Sequence, residues 1–151
     1  MSRRSERMQP IQRLAGDRSR EAARVLAQRR EALEQETERL AQLRGFRREY
    51  EQRLALSGQN GIDAYRLRDY NAFLARIDTA ITQQQQSIDG LQAEVERLRD
   101  DWLRAWGNAR ALEQLVARYR DQERRRAEAR EQRDSDELAQ RLGGNGDVEG
   151  Q

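Results

Sequence analysis

Apolar residues recur along the second half of the chain with the alternating three- and four-residue spacing of a helical seam. Leu67, Tyr70, Leu74, Ile77, Ile81, Gln84, Ile88, Leu91, Val95, Leu98, Trp102, Ala105, Ala109, Leu112, Val116 and Tyr119 follow it without a break. Only Gln84 among them is neither apolar nor aromatic. A pattern kept for more than seven heptads predicts a coiled coil and argues against a disordered chain or a compact bundle. A helix from Ala64 to Tyr119 would be roughly 84 Å long at about 1.5 Å per residue. The first half carries a thinner seam of Leu26, Leu33, Leu40, Leu43, Tyr50 and Leu54, with Arg29, Glu36 and Arg47 in its missing positions.

Punctuation residues divide the chain. Residues 1–9 form an N-terminal arm, and Pro10, suited to a first helical turn, opens helix 1 over 10–56. Ser57 and Gly58 stop it, and a turn spans 57–62, where Asn60 and Gly61 tolerate positive φ. Helix 2 runs over 63–142 with Asp63 as its cap and Ile62 and Leu67 placed as a hydrophobic staple. Gly143 and Gly144 end it, leaving 143–151 as a disordered tail. The predicted fold is all-α, a long two-helix antiparallel coiled coil, or helical hairpin.

Two registers one heptad apart satisfy both seams, with Leu43 facing either Leu74 or Ile81. In either one helix 2 outruns helix 1 once Pro10 is passed, giving a C-terminal overhang from about residue 115. Leu115, Val116 and Tyr119 then carry seam spacing without a partner in the chain, and an unpartnered apolar stripe is a surface for another protein or for self-association. Arg120 to Glu137 holds 13 charged residues in 18, with Arg and Glu at ion-pairing distances, and reads as a solvated helix.

Near the turn, Phe46 and Phe73 occupy equivalent positions beside the two seams, so an antiparallel pairing puts them on one edge. Ala80 lies on that edge, and Leu43, Tyr50 and Ile77 are the adjoining seam residues. The six make a mostly apolar patch, a candidate binding site. The competing reading folds both Phe rings over the seam as core cover. Trp102 belongs to the seam and Trp106 lies beside it. Gln84, within the run Gln83 to Gln86, places a polar side chain in the seam, a device that fixes register at some cost in stability.

Composition narrows the chemistry. The chain has no Cys and no His, so it lacks thiolate and imidazole metal ligands, a Cys nucleophile and a histidine base. No catalytic residue, metal site or cofactor site is expected, and an enzyme reading has no residue to rest on. The 29 basic residues are all Arg and are interspersed with 27 acids for a net charge of +2, which disfavours nucleic-acid binding. The polar, basic start and the lack of 18 consecutive apolar residues predict a cytoplasmic chain without a membrane span.

Several segments in order resemble the FliJ family, the small coiled-coil component of the bacterial flagellar type III export apparatus. They are MQPIQRLA at 8–15, EAAR at 21–24, REY at 48–50, QNGI at 59–62, LRDYNAFLARIDTAI at 67–81, the glutamine run and DELAQR at 136–141. The resemblance implies a hairpin similar to the coiled coil of the rotary ATP synthase gamma subunit, inserted in the hexameric ring of the export ATPase FliI. It also implies contact with the cytoplasmic domain of the export gate FlhA, with FliH, and with the export chaperones FlgN and FliT. The protein would be a monomer in isolation, peripherally associated with the inner-membrane export apparatus.

In that family the gate contact falls to a Phe and a Leu four residues apart, which map to Phe73 and Ile77. Ile in place of Leu keeps the volume and moves the branch point. The wider family cluster maps onto Leu43, Phe46, Tyr50 and Ala80, the same edge that the seam spacing selects. ATPase contact is expected at the open end of the hairpin, with Leu115, Val116 and Tyr119 as candidates. The alternative is a self-associating structural coiled coil or a general export chaperone.

Overall fold

The computed structural model describes residues 3–149, with side chains described for residues 3–144. It consists of two helices, α1 (Arg4–Gln59) and α2 (Ala64–Glu149), packed antiparallel as a helical hairpin, and no strand occurs among the described residues. Their contacts define two units, each a stretch of α1 against a stretch of α2. A hairpin unit spans Arg20–Leu103, and a terminal unit combines Met1–Ser19 with Arg104–Gln151.

In the hairpin unit the seam read from the sequence is the core. Leu26, Leu40, Ile77 and Ile88 are buried, and Leu33, Leu43, Tyr50, Leu54, Tyr70, Leu74, Ile81, Leu91, Val95, Leu98 and Trp102 are half-buried. Leu67, the first residue of the α2 series, is 40% exposed. Seam positions filled by charged residues keep their place by reaching outward along their aliphatic stems. Arg47 pairs with Asp78 at 2.5 Å, and Arg29 with Glu94 at 3.0 Å.

These pairs select the register in which Leu43 lies toward Ile81. With Leu43 toward Leu74, Arg47 would stand opposite Tyr70, about two turns from Asp78. Gln84 secures the choice: its amide donates to the Glu36 carbonyl at 2.8 Å and to the Glu36 carboxylate at 2.5 Å. The polar seam residue is thus satisfied across the interface and ties one turn of α2 to one turn of α1.

The helix ends differ from the sequence expectation. Ser57 and Gly58 remain helical, so α1 reaches Gln59 and the turn is shorter than 57–62. Gly61 alone among the described residues takes a positive φ, of 80°, and its amide donates to the Gly58 carbonyl. Asp63 caps α2 as its side chain predicts, with Oδ1 accepting from the Arg66 amide at 2.8 Å. At the other end α2 passes through Gly143 and Gly144 to Glu149, where a tail over 143–151 was expected; residues 150–151 lie outside the described residues.

The larger correction is at the start. α1 begins at Arg4, not Pro10, so residues 4–9 of the expected arm are helical and residues 1–2 lie outside the described residues. Pro10 sits exposed at the end of the second turn, where its missing N–H deprives only the Glu6 carbonyl of a helical donor. What carries the helix past Pro10 is a seam of small and polar residues in the terminal unit. Ser5 and Ala15 are buried, and Met8, Gln12 and Ser19 are half-buried at the same three- and four-residue spacing.

Because α1 reaches back to Arg4, Val116 and Tyr119 do not overhang. Every described side chain from Arg124 to Gly144 is exposed, so the unpaired part of α2 begins there and not at 115. Replacing a seam residue should therefore cost far more than replacing an apolar residue of this stretch. Ile88→Ala, at a position 3% exposed, is expected to lower unfolding free energy by about 2–4 kcal/mol in urea denaturation. Leu138→Ala, at 59% exposure, is expected to stay within about 0.5 kcal/mol.

Candidate partner surfaces

The two edges of the hairpin unit differ in chemistry. Phe73 and Ala80 directly precede the seam residues Leu74 and Ile81, and Phe46 directly precedes the seam position of Arg47, which puts all three on one edge. Asp78 and Gln85 follow seam residues and lie on the other edge. There Arg47 joins Asp78 and Glu51, and Arg44 reaches Gln85 at 3.5 Å. The hydrogen bond from Arg47 holds the Asp78 carboxyl below its usual range, so that edge stays charged.

On the first edge the aromatic rings cluster. The Tyr50 ring stacks on Phe73 with centroids 4.2 Å apart and planes 23° apart, and meets Tyr70 edge-on at 5.8 Å. Both are favoured aromatic geometries. Phe73 is nevertheless 39% exposed, and Phe46, one turn before Tyr50, is 57% exposed. Leu43, Tyr50 and Ala80 are half-buried beneath them. Phe73 thus partly covers the seam and partly faces outward, while Phe46 remains largely open.

Ile77 behaves otherwise. It is 7% exposed and belongs to the core, so the expected pair of Phe73 and Ile77 does not form one accessible surface. The reason is its phase: four residues after Phe73 is a seam position in a helix whose seam steps by three and four. Tyr70 is the member of this cluster that sequence reasoning did not assign, although its place in the seam just below Phe73 signals it.

The terminal unit is organised around a polar contact. Ser5 is buried, its amide donates to Glu123 Oε1 at 3.2 Å, and its hydroxyl donates to Oε2 at 2.6 Å. The Arg4 guanidinium lies 5.7 Å from the Tyr119 ring centroid, within cation–π range. Val116 is 1% exposed and Tyr119 half-buried, which corrects their expected role as an unpartnered stripe. Leu115 is half-buried on the edge that also carries Ile11, 50% exposed, with Leu14, 51% exposed, one turn further along α1. Sequence reasoning missed the Ser5–Glu123 contact, although Glu123 continues the α2 seam by four residues and Ser5 precedes Met8 by three.

Among the described residues, no cluster of acids is placed to hold a metal, and no helix is long and apolar enough to cross a membrane. The fold and its exposed aromatic edge define a coiled-coil helical-hairpin protein. Residues 4–146 match the family described as flagellar FliJ protein, and the chain belongs to that family. It is therefore a component of the flagellar export apparatus. No curated protein and no solved structure matches the chain.

Two outcomes are expected of the terminal unit. Val116→Ala should lower stability by about 2 kcal/mol, read by thermal unfolding, through lost burial and the cavity left behind. The Ser5 hydrogen bonds hold the Glu123 carboxyl below its ordinary value, with Arg3 and Arg120 adding to the effect. A carboxyl lowered in the folded state contributes stability that is present above its unfolded value, about 4.3, and is lost as pH falls through the lowered one. Amide exchange in the first turns of α1 should accordingly accelerate in that acid window, and Glu123→Gln should remove much of that pH dependence.

Proposed function

We propose that this chain is a non-enzymatic partner of the export ATPase FliI and of the FlhA gate, working with FliH and handling the export chaperones FlgN and FliT. On this reading it acts in the cytoplasm, peripherally attached to the inner-membrane export apparatus and monomeric when isolated. It promotes assembly or activity of the FliI ring and couples that ring to the gate. The observation that supports it is the aromatic edge: Phe46 and Phe73 stay exposed on one edge, beside the packed rings of Tyr50 and Tyr70. Partly exposed aromatic side chains backed by a packed shell are the usual anchors of protein interfaces.

On this reading Phe73 and Phe46 touch the FlhA cytoplasmic domain, with Leu43, Tyr50 and Ala80 at the foot of the contact. Ile77 acts from the core by holding the helix turn under Phe73. The ATPase contact lies on the terminal unit, where Leu115 shares an edge with the exposed Ile11. Val116 and Tyr119 keep that edge in shape without forming it.

The test is binding of the FlhA cytoplasmic domain, alongside the ATPase rate of FliI titrated with this chain. Phe73→Ala should weaken FlhA binding about tenfold or more with helix content unchanged. Ile11→Asp with Leu115→Asp should abolish stimulation of FliI and leave FlhA binding intact. A large loss of thermal stability on Phe73→Ala would make that ring core cover and overturn the gate assignment. A stable dimer that fails to stimulate FliI would favour a self-associating coiled coil or general chaperone instead.

A further inference from the structure

In the terminal unit a cleft of about 440 Å³ lies between the first turns of α1 and the start of the unpaired part of α2. Five guanidinium side chains line it: Arg3, Arg4 and Arg7 from α1, and Arg126 and Arg130 from α2. Glu123 is the one acidic residue in its lining, and its carboxylate oxygens are already engaged by the Ser5 amide and hydroxyl.

The neighbouring acids of α2 serve other arginines. Asp121 pairs with Arg124 at 2.6 Å and with Arg125 at 3.2 Å, and Glu128 lies 4.0 Å from Arg124. Among the described residues, none of the five cleft arginines forms an ion pair. The chain as a whole is nearly neutral at +2, yet here five guanidinium groups from two helices converge on a single carboxylate, that of Glu123, which Arg3 already helps to keep charged, so positive charge is left in excess.

Guanidinium forks bind phosphate and carboxylate oxygens bidentately. Charge density separates the two. A carboxylate side chain delivers one charge, whereas a triphosphate delivers several within a few ångströms and offers oxygens in every direction. We propose that this cleft binds a compact polyphosphate anion, either inorganic or the phosphate chain of a nucleotide. Bound there, the anion bridges the first turns of α1 to α2. The proposal does not depend on the ATPase or gate assignments.

Calorimetric titration of the full chain at physiological salt with tripolyphosphate, ATP, AMP and hexaglutamate tests it. Saturable one-to-one binding of tripolyphosphate and ATP, with AMP and hexaglutamate much weaker, is the expected result. ATP binding tighter than tripolyphosphate identifies a nucleotide, and equal or weaker ATP binding identifies inorganic polyphosphate. Arg126→Gln with Arg130→Gln should reduce affinity about tenfold or more at unchanged helix content, in line with the strength of charge-assisted hydrogen bonds. The control Arg97→Gln with Arg99→Gln removes the same charge from the hairpin unit and should change affinity less than about twofold. Absence of binding, an equal loss in the control, or a preference for hexaglutamate would overturn the proposal.

Discussion

A seam that steps by three and four can be satisfied by sliding one helix a whole heptad along the other, so register is the constraint on which the hairpin unit depends. Apolar contacts alone discriminate poorly between slides, since one leucine replaces another. Gln84 discriminates well, because a slide would take its amide from the Glu36 carbonyl and carboxylate and leave it half-buried without those partners. Arg47 and Arg29 act in the same sense: each occupies a seam position only because Asp78 or Glu94 waits at the end of its reach. The weaker, interrupted seam of α1 is what makes this specificity possible.

The register has a consequence for surface chemistry. With Leu43 toward Ile81, Tyr50 meets Phe73 and Tyr70, and one edge becomes aromatic while the other becomes a row of charged and amide groups. The stack fixes Phe73 in place with over a third of its surface still open. A ring held this way loses little freedom on meeting a partner, which is the property that makes aromatic anchors effective. The proposed gate contact is thus built from the same residues that set the end of the seam.

The terminal unit follows a different economy. Its α1 seam of Ser5, Met8, Gln12, Ala15 and Ser19 offers little apolar area, so polar and cationic contacts do more of the holding. Ser5 with Glu123 and Arg4 with Tyr119 are examples. Such contacts respond to pH and to anions far more than buried leucines do. A segment expected to engage partners is therefore also the one most open to adjustment by its ionic surroundings.

The sequence by itself determined the helical class, the α2 seam from Tyr70 to Tyr119, the Asp63 cap, and the shared edge of Phe46 and Phe73. Each follows from local periodicity or from side-chain chemistry over a few residues. Tertiary structure decided the register, because both slides pair apolar with apolar and only the reach of Gln84, Arg47 and Arg29 across the interface separates them. It also decided where α1 begins. Ser5, Gln12, Ala15 and Ser19 carry no hydrophobic signal, and their seam exists only because α2 lies against it. Ile77 and Val116 are legible as seam positions from their spacing, and what the opposing helix decided is how completely they are covered, to 7% and 1% exposure.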